Sequence, residues 1–246
     1  TLILGWNHRG AIVARELSRF VAPGSLLTIA AEIDGLAAEI QDLDISGDDM
    51  AVKFVDCDSS SRAVLARLDI PSYDHVMVLS YSDTMTAQAA DTRTLVTLLH
   101  LRQIAEASGR HISVVSEMAD VRNRELAEVT RADDFVVSNK LISLMLAQSS
   151  ENRYLSAIFD ELLDESGCEI AMRPVEDYVA LGTPVNFYTV IESALRRKEV
   201  AFGYARRQDE GAAPDPRKMG GVVVNPVKSE ALIWRPGDRI IVLAED

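Results

Sequence analysis

Two rhythms of apolar and polar residues alternate along the first half of the chain. Short, mostly apolar runs read as buried strands: Thr1-Leu2-Ile3-Leu4, Leu26 to Ala31, Ala51 to Val55, His75 to Ser80, His111 to Ser116 and Phe135 to Ser138. Between them apolar residues recur at helical spacing. Ala11 to Val21 carries Ile12, Val13, Leu17, Phe20 and Val21 on one stripe. Gly35 to Leu43 and Ser60 to Leu68 read as shorter helices. A long helix runs to about Ala107, with Leu95, Leu98, Leu99, Leu101 and Ile104 on its stripe and Gly109 as its C-terminal stop. Another is expected from Asp120 to Val129. Strands alternating with helices predict an α/β fold, a Rossmann-like doubly wound parallel sheet.

The rhythm changes near residue 140. Lys140 to Leu146 and Arg153 to Leu163 read as two helices rich in Leu, Ile, Met and Phe. From Cys168 onward the pattern is mixed. Strand-like runs fall at Glu169 to Met172, Val200 to Tyr204, Val222 to Val224 and Arg239 to Leu243, with one helix at about Val185 to Arg197. The segments Ser46 to Asp49 and Gln208 to Gly221 read as polar loops. The expected organisation is a Rossmann-like lobe over 1–139, a helical connection over 140–166 and a small α+β lobe over 167–246.

Candidate chemistry gathers where the predicted strands end. Gly5-Trp6-Asn7-His8-Arg9-Gly10 joins the first strand to the first helix, the phosphate-binding corner of a Rossmann unit. Gly5 permits the tight exit and Gly10 a close helix–sheet approach, but Asn7 stands where the dinucleotide fingerprint has its middle glycine. A P-loop is excluded, because Ala11-Ile12 replace the required Lys and Ser/Thr. Glu32 ends the second strand, where a Rossmann carboxylate accepts from ribose hydroxyls, although a solvated turn glutamate reads equally well. Asp56 and Asp58 end the third strand. They line the ligand crevice on one reading, while Asp58 caps the next helix on the other. Arg9 or Arg62 could supply positive charge to a phosphate. The expected nucleotide set is thus Gly5, Asn7, Arg9, Gly10, Glu32, Asp56 and Asp58, for NAD or another adenine nucleotide. If Asp58, Asp83 and Glu117 converge at the strand ends, a cation such as Ca2+ would relieve their repulsion, although capping explains each singly. On a ligand-free reading, Asn7→Gly is expected to change only stability, by about 0.5–1 kcal/mol of backbone entropy.

Composition narrows the class. The 246 residues are 48% apolar and 26% charged, as in ordinary globular proteins. A formal charge of −13 argues against a nucleic-acid partner. Cys57 and Cys168 lack metal or disulfide spacing and read as small core residues of a reducing compartment. No apolar run reaches membrane-spanning length, and the chain opens inside its first strand, as a segment of a longer protein would. The enzyme reading is the weaker one. All four histidines (His8, His75, His100, His111) lie in the first half, and no G-x-S-x-G, H-E-x-x-H or Tyr-x-x-x-Lys pair is present.

A resemblance joins these pieces. Gly5-Trp6-Asn7, Ala22-Pro23-Gly24-Ser25, Asp91 to Leu99, Val115 to Met118, Asp134 to Asn139, Glu161-Leu162-Leu163, Val200 to Tyr204, Val224-Asn225-Pro226 and Pro236 to Val242 carry it. With these the chain resembles the cytoplasmic regulator-of-potassium-conductance (RCK) modules of CASTOR/POLLUX-type ion channels. The resemblance implies crossover helices over 140–163 that hold a homodimer, possible assembly into a gating ring, and a membrane pore domain elsewhere in the same protein. It implies a cytoplasmic module in which a nucleotide or Ca2+ controls gating of a potassium or cation pore. The competing readings are an NAD(P)-dependent oxidoreductase and a ligand-free oligomerisation scaffold.

Overall fold

A computed structural model describes residues 1–43, 50–110, 112–123, 134–163, 167–207 and 221–245. It divides into two compact units, Thr1–Glu151 and Asn152–Asp246, so the division falls within the segment expected to connect two lobes.

The first unit is built on six parallel strands: β1 (Leu2–Leu4), β2 (Ser25–Ala31), β3 (Met50–Asp56), β4 (His75–Val78), β5 (Ser113–Met118) and β6 (Asp134–Val137). Their order is β3-β2-β1-β4-β5-β6, the Rossmann order, with the chain reversing direction across the sheet between β1 and β4. The helices are α1 (Gly10–Phe20), α2 (Leu36–Gln41), α3 (Arg62–Arg67), α4 (Ala87–Ser108) and α5 (Ser138–Glu151).

Both faces of this sheet are apolar because alternate strand residues point to opposite sides. Leu2 and Leu4 join Ala30, Val76, Val78, Leu98 and Leu101 in one core; Ile3 joins Leu27, Ile29, Ala14, Leu36 and Trp6 in the other. Leu2, Ile3 and Leu4 are fully buried, each contributing about 1.5–3 kcal/mol of apolar transfer. This is why the three uncharged residues form the central strand.

Several boundaries differ from those expected. The long helix starts at Ala87, where the Thr86 hydroxyl caps it by accepting from Ala89 N at 3.4 Å. Of the helix expected from Asp120 to Val129, the described residues cover only the start, a 3-10 turn at Val121–Asn123; residues 124–129 lie outside the described set. Asp91 explains that turn: wholly buried, it accepts from Ala119 N at 2.8 Å, Asp120 N at 3.0 Å and Asn123 Nδ2 at 2.7 Å. The expected loop over Ser46–Asp49, residues 208–220 of the second loop, and His111 also lie outside the described residues.

The second unit is antiparallel. Strands β7 (Glu169–Pro174), β9 (Val200–Ala205), β10 (Val222–Val224) and β12 (Arg239–Ala244) form a sheet in the order β10-β9-β12-β7. β8 (Pro184–Asn186) pairs separately with β11 (Ala231–Ile233). Helix α6 (Leu155–Leu163) opens the unit, and α7 (Phe187–Arg196) packs over a core containing Phe187, Trp234, Ile240 and Val242. The small α+β lobe read from the sequence is present, with the β8–β11 pair as an addition. Among the described residues no helix is long and apolar enough to cross a membrane.

Candidate functional site

The turn after β1 lies at the point where strand order reverses. Gly5 leaves the strand with φ +82°, and a Cβ there would run into the Leu79 carbonyl. A Cβ on Gly10 would sit 2.5–2.6 Å from the Trp6 ring, so this glycine makes room for the indole. Trp6 is itself 3% exposed and donates Nε1–H to Glu39 Oε1 at 3.2 Å. Neither glycine therefore needs a ligand to explain it.

Asn7 is the centre of the turn. Its side chain is buried and every hydrogen-bonding group on it is used. The amide Nδ2 donates to Ser80 O at 2.7 Å and to Glu117 Oε2 at 2.7 Å; Oδ1 accepts from Arg9 N at 3.0 Å. Glu117, 8% exposed at the end of β5, also accepts from Ser80 N at 3.2 Å and pairs with Arg9 Nη2. One side chain thus ties together the ends of β1, β4 and β5.

Asp83 closes the other side. It accepts from His8 N at 2.5 Å through Oδ2 and from His8 Nδ1 at 2.6 Å through Oδ1. With Nδ1–H donating there, His8 Nε2 accepts from Arg9 Nη1 at 3.3 Å, a tautomer assigned from the bonding pattern. Partial burial alone would raise the Asp83 pKa, but the hydrogen bonds and charge from His8 and Arg9 outweigh it and hold it below the ordinary value.

A second group lies at the ends of β2 and β3. Arg93 of α4 reaches back to Asp58 Oδ1 at 2.8 Å and Glu32 Oε2 at 3.2 Å, with its guanidinium 4.0 Å over the Tyr81 ring. Its Nε–H is buried without an acceptor. Asp58 also accepts from Ser60 N at 2.9 Å and Ser60 Oγ at 2.7 Å. Burial opposes ionisation of Asp58, yet Ser60 and Arg93 together hold its pKa below the ordinary value. The Cys57 thiol is pushed up by burial first and then by the charges of Asp56, Asp58 and Glu32. A shallow depression of 590 Å³ opens beside Arg93, lined by Ser60, Thr86, Gln88 and Thr92 among others.

These positions correct three expectations. Asp58 does not cap α3, whose N-cap is Ser61 without a side-chain hydrogen bond. Asp58, Asp83 and Glu117 do not gather around a common point; each is held by a different basic partner, Arg93, His8 and Arg9. No group of three or more His, Cys, Asp or Glu among the described residues could hold a metal ion, so the Ca2+ triad is not formed. The effect of replacing Asn7 cannot be entropy alone, because its three bonds would go with it. Asp56 is exposed at the end of β3, and Arg62 is exposed at the start of α3.

Sequence reasoning missed Arg93, Tyr81 and Ser80. A signal existed for the helix that carries Arg93: Ala90, Asp91, Thr94, Thr97, Leu98 and Leu101 form its buried stripe, and a charge on such a stripe demands a partner. No local signal marks Ser80, whose backbone is used by a residue 73 positions away.

The residues of the turn do not fit a dinucleotide pyrophosphate. The N–H groups of His8, Arg9 and Gly10 already serve Asp83, the Asn7 side chain and the Asn7 carbonyl. Two carboxylates, Asp83 and Glu117, are bonded to residues of the turn, and their charge opposes a phosphate there.

Comparison with known proteins agrees with the sequence resemblance. No protein-family profile matches the chain. Over 99% of its length it is 26% identical to a "Probable ion channel CASTOR" of Oryza sativa subsp. japonica and 27% identical to "Ion channel DMI1" of Medicago truncatula. A "Probable ion channel POLLUX" of Arabidopsis thaliana is 27% identical over the same share. The chain spans only 30–32% of the length of these relatives. In fold it is similar to the human SLO3 gating ring, with TM-score 0.64 and 11% identity, over 100% of this chain and 44% of that one. The resemblance to CASTOR/POLLUX-type channels thus extends through the whole chain.

Proposed function

We propose that this chain is the cytoplasmic regulatory module of an ion channel, acting on a pore that lies in another part of the same protein. The observation that carries the reading is the 99% coverage by channel relatives, which takes in both compact units and not the Rossmann unit alone. The module works as a homo-oligomer, a dimer able to build into a ring. Leu141, Ile142, Leu144 and Leu146 of α5 are 48–66% exposed, a row of large apolar side chains that a second copy would cover. The 140–166 segment would then be the crossover between an N-lobe and a C-lobe.

Gating responds to a small ligand, with a nucleotide as the class a Rossmann sheet favours. Within the crevice it is the Arg93 side that has room. Glu32 and Asp58 offer acceptors to ribose hydroxyls, and the buried Arg93 Nε–H lacks an acceptor. The module is not an enzyme on this reading, since neither group of side chains places a proton-transfer residue against an open reacting position.

The test is electrical. In patch recordings of the full-length protein, Leu144→Asp with Leu146→Asp should abolish regulated opening, while the same pair makes the isolated module monomeric by light scattering. Unaltered gating from a channel whose module is demonstrably monomeric would contradict the proposal.

A further inference from the structure

We infer that the Rossmann turn of this chain is self-ligated: Asp83 and Glu117 occupy, as built-in anions, the positions a dinucleotide's phosphates take in such a turn. The inference concerns the turn alone and stands or falls independently of the channel reading.

A Rossmann turn binds phosphate because consecutive backbone N–H groups at a helix start lack partners and the helix dipole favours negative charge. Both requirements are met here from within. The His8 N–H is taken by Asp83 Oδ2 at 2.5 Å, the Arg9 N–H by Asn7 Oδ1 at 3.0 Å and the Gly10 N–H by Asn7 O at 2.8 Å. α1 has no acidic residue in its own first turn, so the carboxylate beside its start comes from Asp83, 75 residues along the chain from His8. The two side chains that could have met a phosphate, His8 and Arg9, are turned onto Asp83 and Glu117.

Asn7 makes this arrangement possible. A glycine at that place would leave space for a ligand and take from Glu117 the amide donor that Asn7 supplies. Asn7 fills the space and uses both amide protons, one on Ser80 O and one on Glu117. The substitution in the fingerprint and the buried carboxylate at the end of β5 therefore belong together. Each would be unfavourable without the other, since the carboxylate needs donors and the amide needs acceptors.

Two consequences follow. A dinucleotide cannot lie across the turn without displacing Asp83 and meeting the Glu117 charge. Removing the two charges should turn the closed corner back into an anion site, with His8 and Arg9 released to serve it. That second consequence is what separates self-ligation from a turn that simply has the wrong shape.

Calorimetry of the 246-residue chain with inorganic pyrophosphate tests it, comparing the parent, Asp83→Ala, and Asp83→Ala with Glu117→Gln. Affinity should rise in that order, with the double variant binding at least about tenfold more tightly than the parent. Equal affinities in all three, or tightest binding by the parent, would overturn the inference. Thermal melting checks that each variant folds. If the double variant does not, the single Asp83→Ala change decides alone, because that side chain is 39% exposed and its loss leaves no buried cavity.

Discussion

At the carboxyl edge of the six-stranded sheet, the turn after β1 and the ends of β2 and β3 use the same side-chain types in opposite ways. At the turn, Asn7 and Glu117 are 2% and 8% exposed and their donors and acceptors are matched to one another. At the ends of β2 and β3, the Glu32 and Asp58 side chains are 62% and 43% exposed, and they flank an arginine with a buried donor to spare. Burial decides the difference. A buried carboxylate must be compensated inside the fold, so it becomes structure; a solvated one can exchange partners and remains available. The crevice where a Rossmann protein binds its ligand is here half closed and half open.

Substitutions can break that contrast, and the largest effect should come from Gly10. Gly10→Ala places a methyl inside contact distance of the Trp6 ring and should destabilise the chain by roughly 2–3 kcal/mol, measured by urea denaturation. The same loss should appear with or without any nucleotide present.

Asn7→Gly comes next. It removes the bonds to Ser80, Glu117 and Arg9 and leaves a buried carboxylate short of a donor, a cost of about 2 kcal/mol. A loss under about 1 kcal/mol would mean that backbone entropy is the whole effect and that the network contributes nothing.

On the open side, Arg93→Gln should cost less, about 0.5–1 kcal/mol, since Glu32 and Asp58 can turn to water. If it costs more than Asn7→Gly, the assignment of closed and open halves is reversed.

The smallest effect is that of acid on Asp83. Its pKa is held down in the folded chain, so the stability it contributes is present above the unfolded value of about 3.9 and is lost as pH falls through the lowered folded value. Because the side chain is 39% exposed, the difference between parent and Asp83→Asn in melting temperature should be small at pH 7 and shrink as pH falls below the unfolded value, disappearing below the lowered folded one.

These contrasts also mark what the sequence could carry. The uncharged runs around Ile3, Ile29 and Val76 made the strands legible, and their alternation with apolar stripes pointed to a parallel sheet, while the strand order came from the structure. Gly5 was read for the right geometric duty, a tight exit, whereas Gly10, expected to let the helix approach the sheet, makes room for the Trp6 ring. What was not legible was partnership. Asn7 looked like a lost glycine because its partners, Ser80 and Glu117, are 73 and 110 residues away and nothing local names them. Asp58, Asp83 and Glu117 looked like one cation site because strand order brings their backbones to the same edge. The bases that separate them, Arg93, His8 and Arg9, come from two different helices' surroundings and are invisible to spacing. Asp91 was missed in the same way: its acceptors serve Ala119, Asp120 and Asn123, about 30 residues on, beside the turn at Val121–Asn123.

The central claim, that the turn is closed by carboxylates of its own chain, is tested most directly by the backbone amide resonances of His8, Arg9 and Gly10 in a two-dimensional 1H–15N spectrum of the chain titrated with NAD+. These three N–H groups are bonded within the chain, so their resonances should stay in place across the titration, whatever happens near Arg93 and Ser60. A saturable shift of all three together would show phosphate on the turn and contradict the account.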